Sequence, residues 1–256
     1  MCYTEIGPKE KIYVRKVLRG VCTDKVGIYL NPKKRAFQKA LNSQIYVDKS
    51  ELIAYTNQVL NSEQQYICVS RPRRFGKSMA ANMLAAYYGR SADSREEFEH
   101  LKIGKEASFR KYLNRYNVIF LNMQEFLSDN PDIEAMKQSI EDSLLWELSA
   151  EYPDIHYSDR KNLIRTLYDI FDVENIPFIF IIDEWDCIFR EKKEDKDAQS
   201  IYLNFLINLL KDKSYITLVY MTGILPVGNC LRDSEWDMIV LNGKFLYQMR
   251  KSELYS

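Results

Sequence analysis

The chain has 256 residues, 46% of them hydrophobic, enough for one sizeable α/β domain or two small ones with a real core. Its 36 basic and 36 acidic residues cancel, so no overall field argues for nucleic acid or an anionic membrane as a partner. Cys2, Cys22, Cys68, Cys187 and Cys230 show no Cys-x-x-Cys spacing, and no stretch reaches the apolar length of a leader or a membrane span. The expectation is a cytoplasmic protein with reduced thiols and no membrane partner, not a disulfide framework or a zinc site.

Residues 1–25 differ from the rest of the chain. Lys9, Lys11, Arg15, Lys16, Arg19 and Lys25 outnumber Glu5, Glu10 and Asp24, and Ile12, Val14, Val17 and Leu18 keep no period. This reads as an N-terminal extension with weak structure, or as a short basic contact arm. The domain is expected over residues 26–227, opening at Val26-Gly27-Ile28-Tyr29-Leu30. Asn31-Pro32 signals a turn, and a helix follows around Ala36–Leu41. Ile45-Tyr46-Val47-Asp48-Lys49-Ser50 reads as a short strand running into a helix of Leu52, Ile53, Tyr55, Val59 and Leu60, with Asp48 as its cap.

Tyr66-Ile67-Cys68-Val69 is a short buried strand by composition, and Met79, Ala80, Met83, Leu84 and Tyr87 recur at helical spacing. Between them lies Ser70-Arg71-Pro72-Arg73-Arg74-Phe75-Gly76-Lys77-Ser78. A strand, a tight loop ending in Gly-Lys-Ser and a helix is the setting of a phosphate-binding P-loop. The free amides at the helix start attract an anion. Gly76 lets the backbone approach it, Lys77 adds a full charge, and Ser78 offers a hydroxyl to Mg²⁺. The usual first glycine of the pattern is Arg71 here, so the motif by itself is incomplete.

The P-loop helix is expected to end at Gly89, a suitable C′ residue. Val118-Ile119-Phe120-Leu121-Asn122-Met123 reads as the next buried strand, with Asn122 and Gln124 either facing the same crevice or serving as ordinary loop polars. Pro131 at the N1 position opens a helix carrying Ile133, Met136, Ile140, Leu144 and Leu148, stopped by Pro153, and a further helix carries Leu163, Leu167, Ile170 and Phe171. His100 and His156 belong to no ligand or triad spacing.

Phe178-Ile179-Phe180-Ile181-Ile182 is wholly β-branched or aromatic, as strands buried on both faces are, and Asp183-Glu184 follow at its carboxyl end. In doubly wound sheets that end holds the ligand. Asp183 is then the residue that orders Mg²⁺, and Glu184 the base that polarises the attacking water; the plainer alternative is an acidic pair ending a strand. The eight charged residues Arg190 to Asp197 read as a solvated loop. Ile201, Phe205, Leu206, Leu209 and Leu210 make a helix, and Tyr215–Met221 is the last clear strand, ending at Thr222-Gly223. The Thr222 hydroxyl is expected between the P-loop and Glu184, as a γ-phosphate sensor.

Taken together, Tyr46-Val47-Asp48-Lys49-Ser50, Ser70 to Ser78, Ile182-Asp183-Glu184-Trp185-Asp186 and Met221-Thr222-Gly223-Ile224-Leu225-Pro226 resemble the predicted AAA-ATPase-like family of bacteria and archaea. The resemblance covers Val26 to Val227. It implies an α/β, three-layer P-loop NTPase with a mostly parallel sheet of the additional-strand, AAA-like type, with ATP and Mg²⁺ as cofactors. It implies that Arg71 is the family's own variant, with Pro72 fixing the loop by its rigid φ. Arg73 and Arg74 either add charge near the triphosphate or stay solvated.

After Val227 the sequence leaves the family's pattern. The helical lid and the restriction-nuclease-like domain that often follows are expected to be absent, leaving residues 228–256 as a divergent tail. An arginine from a neighbouring subunit of a homo-oligomer often completes such sites, and Arg232 lies in the corresponding region. The resulting expectation is an ATPase in which Arg74, Phe75, Gly76, Lys77, Ser78 and Met79 bind nucleotide, Ser78 and Asp183 the metal, and Glu184 and Thr222 are catalytic. The alternatives are a nucleotide-binding switch with little turnover, a phosphotransferase, or the ATPase part of a nucleic-acid-processing system.

Overall fold

The structure, a computed structural model, describes residues 27–225. Its sheet has four strands, β1 (Tyr66–Ser70), β2 (Asn117–Asn122), β3 (Phe178–Asp183) and β4 (Ile216–Gly223), in the spatial order β1-β4-β3-β2. All three pairings are parallel. Every residue of β3 and β4 is buried, which is why Phe178–Ile182 and Leu218–Met221 are continuous apolar runs with no polar alternation.

The side chains of the sheet divide between two cores. Cys68, Ile119, Leu121, Phe178, Phe180, Ile182, Val219 and Met221 enter one, and Ile67, Val69, Val118, Ile179, Ile181, Leu218 and Tyr220 enter the other. This alternation follows from the two-residue period of a strand, and it breaks at Ile216, which enters the first core, where the β3–β4 register shifts. The second core is closed by α1 (Arg35–Leu41), α2 (Glu51–Val59), α3 (Lys77–Tyr88) and the short α4 (Arg95–Phe98) and α5 (Phe109–Tyr112). The first is closed by α6 (Met123–Asp129), α7 (Ile133–Glu151), α8 (Leu163–Glu174), α9 (Cys187–Glu191) and α10 (Lys196–Leu210). The result is three layers, helices on both faces of a parallel sheet.

Caps set several boundaries. Asp132 accepts from Ala135 N at 2.8 Å to open α7, and Asn162 accepts from Arg165 N at 3.1 Å to open α8. Asn175 closes α8 in the left-handed conformation at φ 52°. The apolar stripe of α7, Ile133, Met136, Ile140, Leu144 and Leu148, is buried throughout.

Several local expectations are corrected. No strand forms at Ile45–Ser50: Ile45 is 87% and Val47 60% exposed, and the segment runs as a connection without a ladder partner among the described residues. Asp48 does not cap α2; its carboxylate accepts from Ser50 N at 2.8 Å and from Lys102 N at 2.7 Å, joining two segments. Gly89 is extended (φ −65°, ψ 146°) and not left-handed, and its amide bonds to Ala85 O. Pro131 precedes the cap residue Asp132, so it is not at N1. The charged run is a solvated loop only over residues 192–195: Arg190 and Glu191 finish α9, Asp195 caps α10 by accepting from Ala198 N at 2.9 Å, and α10 begins at Lys196.

Ahead of α1, Leu30 pairs antiparallel with Ile119 beside the β2 edge. Glu147 of α7, only 5% exposed, holds that segment by accepting from the amides of Ile28, Tyr29 and Leu30 at 2.7, 3.0 and 2.6 Å. Among the described residues, no helix is long and apolar enough to cross a membrane. The 1–25 extension, the 228–256 tail and Arg232 lie outside the described residues.

Candidate functional site

The carboxyl ends of β1 and β3 open onto one cleft of about 640 Å³, lined by Arg73, Arg74, Gly76, Lys77, Ser78, Met79, Asn122, Gln124, Asp183, Glu184, Arg190 and Glu191. On the β1 side, Arg71 N donates to Gly223 O at 3.1 Å and the Ser70 hydroxyl donates to Ile224 O at 3.0 Å, so the loop starts fixed to the end of β4. The chain then turns through two left-handed residues, Arg74 (φ 71°) and Gly76 (φ 76°). At Gly76 a Cβ would meet both a backbone conformation unfavourable to L-residues and the Lys49 ammonium 3.1 Å away.

Gly76 delivers the chain into α3 with no side-chain cap, and the first helical bond is Ala80 N to Gly76 O at 3.0 Å. Among the described residues no acceptor meets the amides of Lys77, Ser78 and Met79, so a 12-residue helix presents open donors to the cleft. The Lys77 side chain, 5% exposed, folds back to donate to Arg71 O at 2.9 Å and Pro72 O at 3.2 Å. A phosphate entering the loop could take over those hydrogen bonds. Phe75 does not line the cleft: its side chain is half exposed and its carbonyl accepts from Lys49 Nζ at 3.1 Å. Burial and the Arg71 charge beside it push the Lys49 amine below its ordinary value.

On the β3 side, Asp183 is 3% exposed and its Oδ1 accepts from the Thr222 hydroxyl and, at 3.1 Å, from Glu184 N. Thr222 is fully buried and reaches the cleft only through Asp183, since β4 lies between β1 and β3. Both hydrogen bonds to the Asp183 carboxylate fall on Oδ1, which leaves Oδ2 for a hydrated cation. Glu184 sits at φ 54°, an uncommon conformation for a residue with a long side chain.

The Glu184 carboxylate is not free. Arg190 Nη2 donates to Glu184 Oε2 at 2.5 Å and to Gln124 Oε1 at 3.3 Å. The Arg190 Nε stands 3.4 Å from Asp186 Oδ1, outside hydrogen-bond alignment, so both atoms are buried without a hydrogen bond. Asp186, fully buried, uses Oδ2 to accept from Ile224 N at 2.8 Å and Leu225 N at 2.6 Å, which ties the turn after β3 to the end of β4. Trp185, which lies between the two acids, donates its amide to Thr222 O at 3.0 Å and receives the Tyr202 hydroxyl on its carbonyl at 2.6 Å. Cys187 is buried beneath this turn, and burial pushes its thiol up to about 12.

Of the residues expected at the site, Arg74, Gly76, Lys77, Ser78, Met79, Asp183 and Glu184 line one cleft. Asn122 lines it too, yet its side chain is engaged locally: it accepts from Gln124 N at 3.1 Å and donates to Glu125 at 2.8 Å, capping α6. Sequence reasoning quoted Asp186 only as part of the resemblance and gave neither it nor Arg190 a role; the signal for the pair was their four-residue spacing, one helical turn, with Arg190 at the head of a run of charges.

No curated protein matches the chain. A family described as Predicted AAA-ATPase, of the AAA-ATPase-like type, matches residues 35–230, which include the P-loop, the Asp183-Glu184 turn and all four strands. The chain therefore belongs to the predicted AAA-ATPase-like family.

Proposed function

We propose that the cleft binds ATP with Mg²⁺ and hydrolyses it to ADP and phosphate. The observation that carries this reading is the convergence on one cleft of Lys77, Ser78 and open helix amides from one side and Asp183-Glu184 from the other. The amides and Lys77 bind the β and γ phosphates. Ser78 and Asp183 are the residues that would hold Mg²⁺, which when bound neutralises charge on the terminal phosphates. Glu184 accepts the proton of a water whose oxygen attacks the γ-phosphorus as the bond to the β-phosphate oxygen breaks. Thr222 acts through Asp183, holding the carboxylate that orders the metal.

The position of β4 between β1 and β3 supports the additional-strand type within P-loop folds. The family, together with the lack of a guanine-selecting Asn-Lys-x-Asp motif, favours ATP over GTP. Phosphate release from Mg²⁺-ATP tests the reading, with a fluorescent ATP analogue titrated in parallel. Wild type is expected to turn over, Glu184→Gln to bind without turnover, and Lys77→Ala to lose binding. Wild type that binds no nucleotide refutes it.

One observation favours a second reading, a nucleotide-held switch with little turnover: the carboxylate needed as base is ion-paired with Arg190. Stoichiometric bound nucleotide without phosphate release would identify the switch.

A further inference from the structure

We propose that Arg190 is a latch on Glu184 that the terminal phosphate of a nucleoside triphosphate releases; this rests on the reading of the cleft as a nucleotide site. Arg190 lines the same cleft as Lys77 and Ser78, and its side chain is 12% exposed. Three acceptors surround it: Glu184 Oε2 at 2.5 Å, Gln124 Oε1 at 3.3 Å and Asp186 Oδ1 at 3.4 Å. Only the first is a close, charge-assisted bond, and it falls on the carboxylate assigned as base. The remaining contacts are loose. The guanidinium Nε is buried without a hydrogen bond, a costly arrangement for a donor that movement of the guanidinium toward a new acceptor can relieve.

The backbone adds to this. Glu184 stands in the left-handed region, which persists only where surrounding structure holds it. What holds it is on both sides of the residue: its own amide on Asp183 and the next amide, Trp185 N, on Thr222 O. The main chain is thus pinned while the side chain, among the described residues, is ion-paired with Arg190 alone. Moving Arg190 leaves Glu184 in place and frees its carboxylate. Arginine's planar fork suits a phosphate, so a terminal phosphate arriving between Lys77 and Glu184 competes directly for the guanidinium. A diphosphate lacks this third phosphate. The latch therefore makes the site read triphosphate against diphosphate and keeps the base engaged until the substrate is complete. In this scheme Arg190 is a positioning residue toward Glu184.

Affinities for ATP and ADP, measured with Glu184→Gln, Arg190→Ala, Arg190→Lys and the double variant, test it. Arg190→Ala should weaken ATP about tenfold or more, the worth of one charge-assisted hydrogen bond, and leave ADP unchanged. Arg190→Lys should recover part of that preference. Glu184→Gln removes the competitor and should tighten ATP several-fold. In the Arg190→Ala background that gain should vanish, because the two residues act through one bond; simple repulsion between Glu184 and the phosphate would preserve it. A preserved gain, or an equal loss for ATP and ADP without rescue by lysine, overturns the latch. Wild type that binds neither nucleotide overturns the nucleotide reading itself, and the latch with it.

Discussion

Replacing Glu147 by alanine removes the acceptor that holds residues 28–30 against the edge of the sheet. The Glu147 carboxylate is 5% exposed and accepts from Leu30 N at 2.6 Å in a fully buried bond, and from Ile28 N and Tyr29 N at 2.7 and 3.0 Å in partly buried ones. A hydrogen bond to a charged group contributes about 1.5–3 kcal/mol, so the buried bond is worth about 2 kcal/mol and each of the others about 1, roughly 4 kcal/mol in all. For a domain of this size that lowers Tm by roughly 8–16 °C. Glu147→Gln keeps an acceptor but turns an NH₂ toward at least one amide, and should cost about half as much. Urea and thermal denaturation measure the loss. Hydrogen exchange at Leu30 shows whether the segment peels away first, abandoning the Tyr29–Phe126 ring contact at 5.1 Å and the Leu30–Ile119 bridge. An alanine variant that melts within a few degrees of wild type, with Leu30 still protected, would refute the reasoning.

Other perturbations separate the parts of the site. Gly223→Ala places a Cβ 2.8 Å from Trp185 Nε1 and 2.9 Å from Asp186 Oδ1, so urea denaturation should show a loss of about 1–3 kcal/mol; unchanged stability would mean the turn after β3 yields freely. Thr222→Val deletes a buried donor to Asp183 with little change of shape and should cost about 1.5–3 kcal/mol. Calorimetry with and without Mg²⁺ should show that it weakens the metal-dependent part of nucleotide affinity alone. Gly76→Ala forces alanine to φ 76°, about 1–2 kcal/mol of backbone strain, and is expected to abolish tight nucleotide binding while the fold survives by circular dichroism. At alkaline pH, burial pushes Tyr46, Tyr55, Tyr87 and Tyr116 up to about 12. Unfolded tyrosines ionise near pH 10 while the native ones keep their protons, so stability is complete below about pH 10 and falls as pH rises toward 12. Tyrosinate absorbance should therefore rise together with unfolding, and a full tyrosine titration near pH 10 with the fold intact would contradict these burials.

What the sequence determined by itself was whatever a local pattern encodes. Phe178–Ile182 could only be a strand covered on both faces, because five consecutive β-branched or aromatic residues fit no other buried element of that length. Gly76-Lys77-Ser78 after a strand announced a helix with open amides, since glycine supplies the left-handed turn and no side chain competes for the donors. The stripe from Ile133 to Leu148 fixed the face that α7 buries. Segments without such a pattern were misread. Ile45-Tyr46-Val47 has strand composition but no partner ladder among the described residues, and a strand is stable only when its hydrogen bonds are taken up.

Only the tertiary structure decided which polar groups meet. The order β1-β4-β3-β2 sets Thr222 beside Asp183, 39 positions earlier, where the hydroxyl serves the carboxylate and does not face the cleft. Arg190 stands in a run of eight charges that carries no apolar period, yet α9 folds it back onto Glu184 and onto Gln124, 66 positions earlier. The physical reason is that burial follows local hydrophobic periodicity, whereas an ion pair depends on three-dimensional distance and on how much water the fold leaves between the charges.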